Sequence, residues 1–378
     1  MKDTFLDELR SSQIKELAEY SRRASEADAV RVIRRGRAET LEDFAALISP
    51  AASPHIEEMA RLSSAMTERF FGRVMRLFAP LYVSNECVNN CKYCGFAHRH
   101  AIDRKTLSLQ EVEREVDAIY NLGFRTILLV AAENPRLVSS GYMEECVKIA
   151  ARKMSSVSVE IAPSSVEDYK KYVAAGCEGL TVFQETYDEE VYPTLHPSGP
   201  KANFQWRLAT PERGAQAGMR KIGLGPLLGV NEWRFEILAV ALHARFLGRR
   251  AWRSQISVSL PRMRPAASGF VPRPENIPTD RELVQTTCAL RLFLPRLSLV
   301  VSTRESRKMR DGLMGLGITQ MSAFSSTQPG GYADLHKEGE QFLIDDNRTP
   351  EEFAAALMAK GLDPVWKDFD RALAVREP

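Results

Sequence analysis

The stretch Leu81-Tyr82-Val83-Ser84-Asn85-Glu86-Cys87-Val88-Asn89-Asn90-Cys91-Lys92-Tyr93-Cys94-Gly95-Phe96 governs how this chain is read. Pro80 to Ser84 has the β-branched and aromatic character of a strand. It runs directly into three cysteines spaced Cys-x3-Cys-x2-Cys, in a chain that holds only 6. Thiols at this spacing in one short loop indicate a metal site. Three thiolates are one short of the set that closes a structural zinc centre or an electron-transfer 4Fe-4S cluster. A cluster held by Cys87, Cys91 and Cys94 therefore keeps one iron open to chemistry. A Cys3His zinc site completed by His98 or His100 is the alternative that spacing leaves open.

Outward from this loop the pattern repeats. Runs rich in strand formers recur at Pro80–Ser84, Thr126–Val130, Val157–Ile161, Leu180–Phe183, Lys221–Leu224, Ile256–Leu260, Leu297–Val301 and Thr319–Ala323, separated by amphipathic helices. Ser108 and Glu111 form a capping box ahead of Leu109, Val112, Val116 and Ile119, which share one helix face. Eight strand-helix units in succession predict an α/β chain built as a closed parallel (β/α)8 barrel of the TIM type, with a solidly packed interior. Residues 1–78 read as an N-terminal helical extension, with Thr40 and Asp43 as a capping box and a second helix starting at Ser53 and Pro54. Residues 79–335 form the barrel, and 336–378 a C-terminal helical segment closing it.

Composition narrows the function. A chain of 378 residues, 44% hydrophobic and 26% charged, buries a full core. Few cysteines, no secretory leader and no apolar run of membrane-spanning length predict a reducing, cytoplasmic setting. A net charge of +2 gives no footprint for nucleic acid or membrane, and the basic clusters around Arg34 and Arg250 read as solvated faces. Cys146, Cys177 and Cys288 lie in apolar helical surroundings and read as small core hydrophobes.

In parallel barrels chemistry gathers at the carboxyl ends of the strands. The cysteine loop follows the first strand there, Glu133 the second, and Gln184 and Glu185 end the fourth. Arg262 and Arg264 follow the sixth, Arg304 the seventh, and Ser322 lies near the end of the eighth. Arg304 offers a planar fork matched to a carboxylate, unless it pairs with Glu305. Ser322 can add a hydroxyl donor or be a core hydroxyl bonded to backbone. His196 reads as a loop histidine.

Taken in order, Leu81–Cys94, Phe183–Tyr187, Lys221–Gly225, Ser257–Pro265, Ser302–Ser306, Ser322–Tyr332 and Pro364–Asp370 resemble the aromatic amino acid lyase branch of the radical S-adenosylmethionine (SAM) superfamily. The resemblance is strongest to its tyrosine lyases, which serve thiamine thiazole synthesis. It implies one 4Fe-4S cluster and SAM, with Tyr93 beside the adenine. Glu133, in an Ala-Ala-Glu run where Gly-Gly-Glu is usual, would bind the cofactor's amino group. Glu160, Gly223 and Gly225 would complete the cofactor site. Arg304, Ser322, Tyr82 and Gln184 would surround the substrate. The implied reaction splits the Cα–Cβ bond of L-tyrosine into dehydroglycine and p-cresol, with thiazole synthase as partner and flavodoxin or ferredoxin as electron donor. Tryptophan lyases and a hydrogenase maturase share the pattern. In the maturase a histidine matching His196 helps hold an extra iron, and a second cluster takes cysteines beyond the barrel, whereas none follows Cys288 here. A non-catalytic cluster carrier would want four protein ligands and no cofactor pocket.

Overall fold

The computed structural model describes residues 4–266, 268–333 and 341–367. Eight parallel strands close a barrel: β1 (Val74–Ser84), β2 (Thr126–Ala131), β3 (Ser156–Glu160), β4 (Gly179–Glu185), β5 (Lys221–Pro226), β6 (Gln255–Ser259), β7 (Ser298–Val301) and β8 (Gln320–Ser322). The long first strand closes the ring, bonding to β8 through Arg76–Phe78 and to β2 through Ala79–Ser84. Seven runs expected from the sequence are strands with ends moved by a residue or two. β1 differs more, since it begins at Val74, inside the stretch expected to be helical. The preceding helix, Ile56–Phe71, stops where Gly72 takes φ +68°.

The barrel is not packed solid. Its inward positions include Ser158, Thr181, Gly223, Ser257, Ser259, Ser302 and Ser322, and they line a cavity of about 220 Å3. Side chains this small cannot meet across the axis, where branched aliphatics fill an ordinary barrel. Gly223 is one of the emptied positions: a Cβ there would lie 2.6 Å from Thr181 Oγ1. The amino end is closed by polar pairs instead, Arg76 with Gln255 (2.9 Å) and Ser298 (2.9 Å), and Lys221 with Glu178 (2.7 Å).

The capping boxes expected at Thr40/Asp43 and Ser108/Glu111 both form. The second N-terminal helix starts differently, because Ser49 caps a 3-10 turn at Pro50–His55 before the α-helix from Ile56. The N-terminal helices cover two barrel helices, Trp233–Arg250 and Asp280–Phe293. Phe5 stacks on His243 at 3.8 Å and Phe44 on Phe293 at 5.1 Å. Sandwiched between barrel and outer layer, the Trp233–Arg250 helix is buried on nearly every side, as its apolar sequence requires.

The C-terminal part is not wholly helical. Helix Pro350–Ala359 is followed by Gly361 at φ +72° and a ninth strand, β9 (Asp363–Val365), parallel to Val74–Arg76. Pro364 is tolerated because β9 is an edge strand. Residues 368–378, with Asp368 and Phe369 of the last matching stretch, lie outside the described residues. Residues 341–348 cross the barrel mouth. The backbone N–H groups of Asp345 and Asp346 donate to Thr303 O at 3.1 and 3.4 Å, and the Asp346 carboxylate is buried between Arg310 and Arg348. With Arg310 and Asp346 both 1% exposed, removing the acid leaves the buried Arg310 without a carboxylate and Arg348 with Asp311 alone, at 2.8 Å. Asp346→Ala is expected to destabilise the chain by about 3–5 kcal/mol in urea unfolding, the range for breaking one side of a buried pair.

Candidate active site

The loop after β1 is wound around two arginines that satisfy its carbonyls. Arg104 donates to Asn85 O (2.8 Å), Phe96 O (2.7 Å), Ala97 O (2.8 Å) and His100 O (3.2 Å), and Arg99 to Asn90 O (3.0 Å) and Lys92 O (3.1 Å). Asn85 clamps the loop base, donating to Asp103 O and accepting from Lys105 N. Cys87 packs toward Tyr82 and Phe96, Cys91 toward Leu195, Leu227 and Met263, and Cys94 touches both groups. Burial pushes the Cys91 thiol up to about 12, with Cys94 and Cys87 adding to the rise, so the three are electrostatic neighbours. Among the described residues no three His, Cys, Asp or Glu side chains are drawn together as a site for one ion. His98 is exposed on the surface. The donor set, three thiols of one loop that perturb one another, is of the kind that would hold a 4Fe-4S cluster, each thiolate taking its own iron.

Tyr93 and Cys94 reach the cavity wall together with Tyr82, Glu160, Glu185, Arg304 and Ser322. The Tyr93 phenol is bonded to His196 Nε2 at 2.8 Å, and His196 Nδ1 to Tyr192 O at 2.9 Å. Both ring nitrogens are thus engaged, and burial lowers this histidine to about 3. His196 orients Tyr93 here. Glu133 meets Arg207 at 3.3 Å, while Arg207 also donates to Phe183 O at 2.8 Å. Ala132 is not among the positive-φ residues, so this loop does not require the glycine usual there. Its N–H donates to Ser84 O at 2.9 Å, and Val88 N to Glu133 O at 3.1 Å, tying the acidic loop to the cysteine loop.

Arg304 does not pair with Glu305. That carboxylate is taken by Arg262, whose Nε lies 3.0 Å away. Arg304 instead stacks on Phe342 at 3.5 Å, and no carboxylate stands within ion-pair distance of it among the described residues. Burial lowers its pKa, opposed by the nearby Tyr82, Glu185 and Glu160. Ser322 Oγ accepts from Thr303 N at 3.1 Å and from Ser325 Oγ at 3.3 Å, which leaves its own proton to give.

Five expected residues do not line the cavity: Cys87, Cys91 and Glu133, in the loops just described, and Gln184 and Gly225 on the strands. Gln184 points the other way along β4, buried with both amide atoms unpartnered, and its neighbour Glu185 faces inward. Strand alternation is the reason, since Thr181, Phe183 and Glu185 share a face. Gly225 is packed beneath Phe183, where a Cβ would lie 2.6 Å from the ring. Sequence reasoning also missed a buried network: Glu185, at φ +71°, is bonded to Lys201 at 2.6 Å. Burial raises this acid, but Lys201 and Arg207 overcome that and hold it below its ordinary value. Alternation along β4 was a signal for Glu185; nothing local marked Lys201 or Arg207, which arrive from a distant loop and helix.

A barrel whose first strand delivers three cysteines to the mouth of a polar cavity defines a radical SAM enzyme. The Radical SAM superfamily model matches residues 81–241, and the Biotin and Thiamin Synthesis associated domain matches 259–363. The chain is 44% identical over 330 residues to the 2-iminoacetate synthase of Salmonella typhimurium, covering 87% of each chain, and 44% identical over 335 residues to that of Escherichia coli, covering 88% of each. It belongs to the 2-iminoacetate synthase family. The FeFe-hydrogenase maturase HydG from Carboxydothermus hydrogenoformans superposes with a TM-score of 0.87 at 31% identity, covering 97% of this chain and 86% of that one.

Glu160 gives this site a pH signature. Desolvation, then Glu185, raise it from 4.5 to about 7. A carboxyl raised in the folded state favours folding most below its unfolded value, and that contribution is lost as pH climbs toward 7. Glu160→Gln is therefore expected to match the parent near pH ~4 and to exceed it by up to about 3 kcal/mol at pH ~8, at roughly 1.4 kcal/mol per pH unit, in urea unfolding of the cluster-free chain.

Proposed function

We propose that the protein cleaves L-tyrosine between Cα and Cβ, giving dehydroglycine (2-iminoacetate) and p-cresol for thiamine thiazole synthesis. The observation that carries this reading is Arg304, a guanidinium without a carboxylate partner among the described residues, in the same cavity as Cys94 and Tyr93. Its fork suits an amino acid carboxylate, with Phe342 holding its plane.

Cys87, Cys91 and Cys94 would hold the 4Fe-4S cluster, and Glu133, Glu160, Tyr93 and Gly223 would bind SAM. Bound there, the pair supplies a 5'-deoxyadenosyl radical, with SAM reduced to methionine and 5'-deoxyadenosine. The chain's own work is to bind and orient. Arg304 and the Ser322 hydroxyl fix the substrate carboxylate, which sets where the amino group lies when its hydrogen is taken. Glu160, raised to about 7, carries less negative charge near neutral pH than an ordinary glutamate and so adds less repulsion to a bound carboxylate. Phe183, Leu227 and Met263 supply apolar wall that keeps water from the reacting centre.

Dehydroglycine hydrolyses readily, which favours hand-over to thiazole synthase, and the two single electrons required, one to cleave SAM and one, with a proton, to reduce the released cresol radical to p-cresol, suit flavodoxin or ferredoxin. Among the described residues no helix is long and apolar enough to cross a membrane, in keeping with work in the cytoplasm.

The test is anaerobic reconstitution followed by SAM, reductant, and tyrosine or tryptophan in parallel, with products read by mass spectrometry. Deoxyadenosine with p-cresol and glyoxylate from tyrosine is expected; 3-methyl-2-indolic acid from tryptophan would overturn the assignment. Arg304→Ala is expected to lower kcat/KM about 10- to 100-fold, the worth of charge-assisted hydrogen bonds at ~1.5–3 kcal/mol, and Arg304→Lys to recover part of it.

A further inference from the structure

We infer that Gln341 donates a hydrogen bond to the Cys94 thiolate and raises the reduction potential of the cluster. The inference rests on reading Cys87, Cys91 and Cys94 as the cluster ligands.

The Gln341 amide bridges two residues of the cavity wall. Its Oε1 accepts from the Tyr82 hydroxyl at 2.8 Å, and its Nε2 lies 3.8 Å from Cys94 Sγ. The phenol finds no other hydrogen-bond partner among the described residues, so its proton goes to the amide oxygen and turns the NH2 toward sulfur. Asn89 Nδ2 makes the corresponding contact to Cys87, 3.8 Å away, but from within the cysteine loop. Gln341 comes from the segment that crosses the mouth, and it is firmly placed. Its N–H donates to Thr327 O at 3.1 Å, and Thr327 Oγ1 donates to Phe342 O at 3.1 Å. Further on, Asp345 is paired with Arg264 at 2.6 Å.

An electron added to the cluster spreads negative charge onto its sulfurs. A fixed N–H dipole then stabilises the reduced state more than the oxidised one, and the low dielectric of the cavity magnifies the difference. The donor thus eases reduction, which the radical chemistry requires, and it connects the cluster to Tyr82 on the substrate side.

Gln341→Leu and Gln341→Glu would be reconstituted beside the parent, iron and sulfide counted, and midpoint potentials measured by EPR-monitored titration without SAM. Leu removes the whole amide; Glu keeps the acceptor for Tyr82 but loses the donor. In both, with a full cluster, the reduced-to-oxidised ratio at fixed poise is expected to fall about tenfold, equal to ~59 mV for one electron. Parent potentials in both variants would overturn the inference, and so would a fall in Leu alone, which would mark a packing role. Should either variant fail to assemble a cluster, Tyr82→Phe leaves Gln341 in place but frees the amide to rotate; a smaller fall in the same direction is expected, and no fall overturns the inference. Iron content unaffected by Cys94→Ser would instead defeat the reading of the ligands.

Discussion

An emptied barrel interior is the constraint on which the rest of this molecule depends. Many inward positions that would carry branched aliphatics in a packed barrel carry serine, threonine or glycine, with Leu128, Val130 and Val300 as exceptions, so the strands enclose space rather than a core. The apolar burial that stabilises the fold must then lie between strands and helices, and between helices and a further layer. The N-terminal helices supply that layer, and the largely buried Trp233–Arg250 helix is its mark. A hollow barrel also needs closing. Arg76 and Lys221 close one end through hydrogen bonds, while the cysteine loop and residues 341–348 cover the other.

Enclosure makes the charges in the cavity consequential. Glu133, Glu185, Lys201 and Arg207 form a paired network on the cysteine side, where each charge is compensated. Arg304 lines the same cavity, stacked on Phe342 and without a carboxylate partner among the described residues, and Glu160, which feels both Glu185 and Arg304, is pushed toward its neutral form. A compensated network beside Arg304, a cation without a carboxylate partner among the described residues, suits a cofactor held firmly and a small anionic substrate. Glu185 sits in the left-handed region at φ +71°, a strained arrangement for a non-glycine that its ion pair with Lys201 helps maintain.

Much of this was legible in the sequence where the signal is local. The Cys-x3-Cys-x2-Cys loop, eight strand runs and two capping boxes each depend on residues a few positions apart, and all of them form, with only β1 starting much earlier than its run. Errors came where a local rule met a tertiary demand. Gln184 and Glu185 are equally polar at a strand end, and only the phase of the alternation separates them. Gly225 has the composition of a ligand-approach glycine, yet it makes room for Phe183. β1 begins early because β8 and β9 pair with residues that read as helical when taken alone.

The sequence by itself determined the barrel class, the cysteine ligands to test and the arginine to watch, because periodicity, spacing and strand-end position are written along the chain. Tertiary structure alone decided that the barrel is hollow, that Glu305 belongs to Arg262 and not to Arg304, that His196 serves Tyr93, and that Gln341 reaches Cys94. Each of these depends on which side chain wins a partner in three dimensions. That competition runs between residues far apart in sequence, through distances and burial that no local pattern encodes.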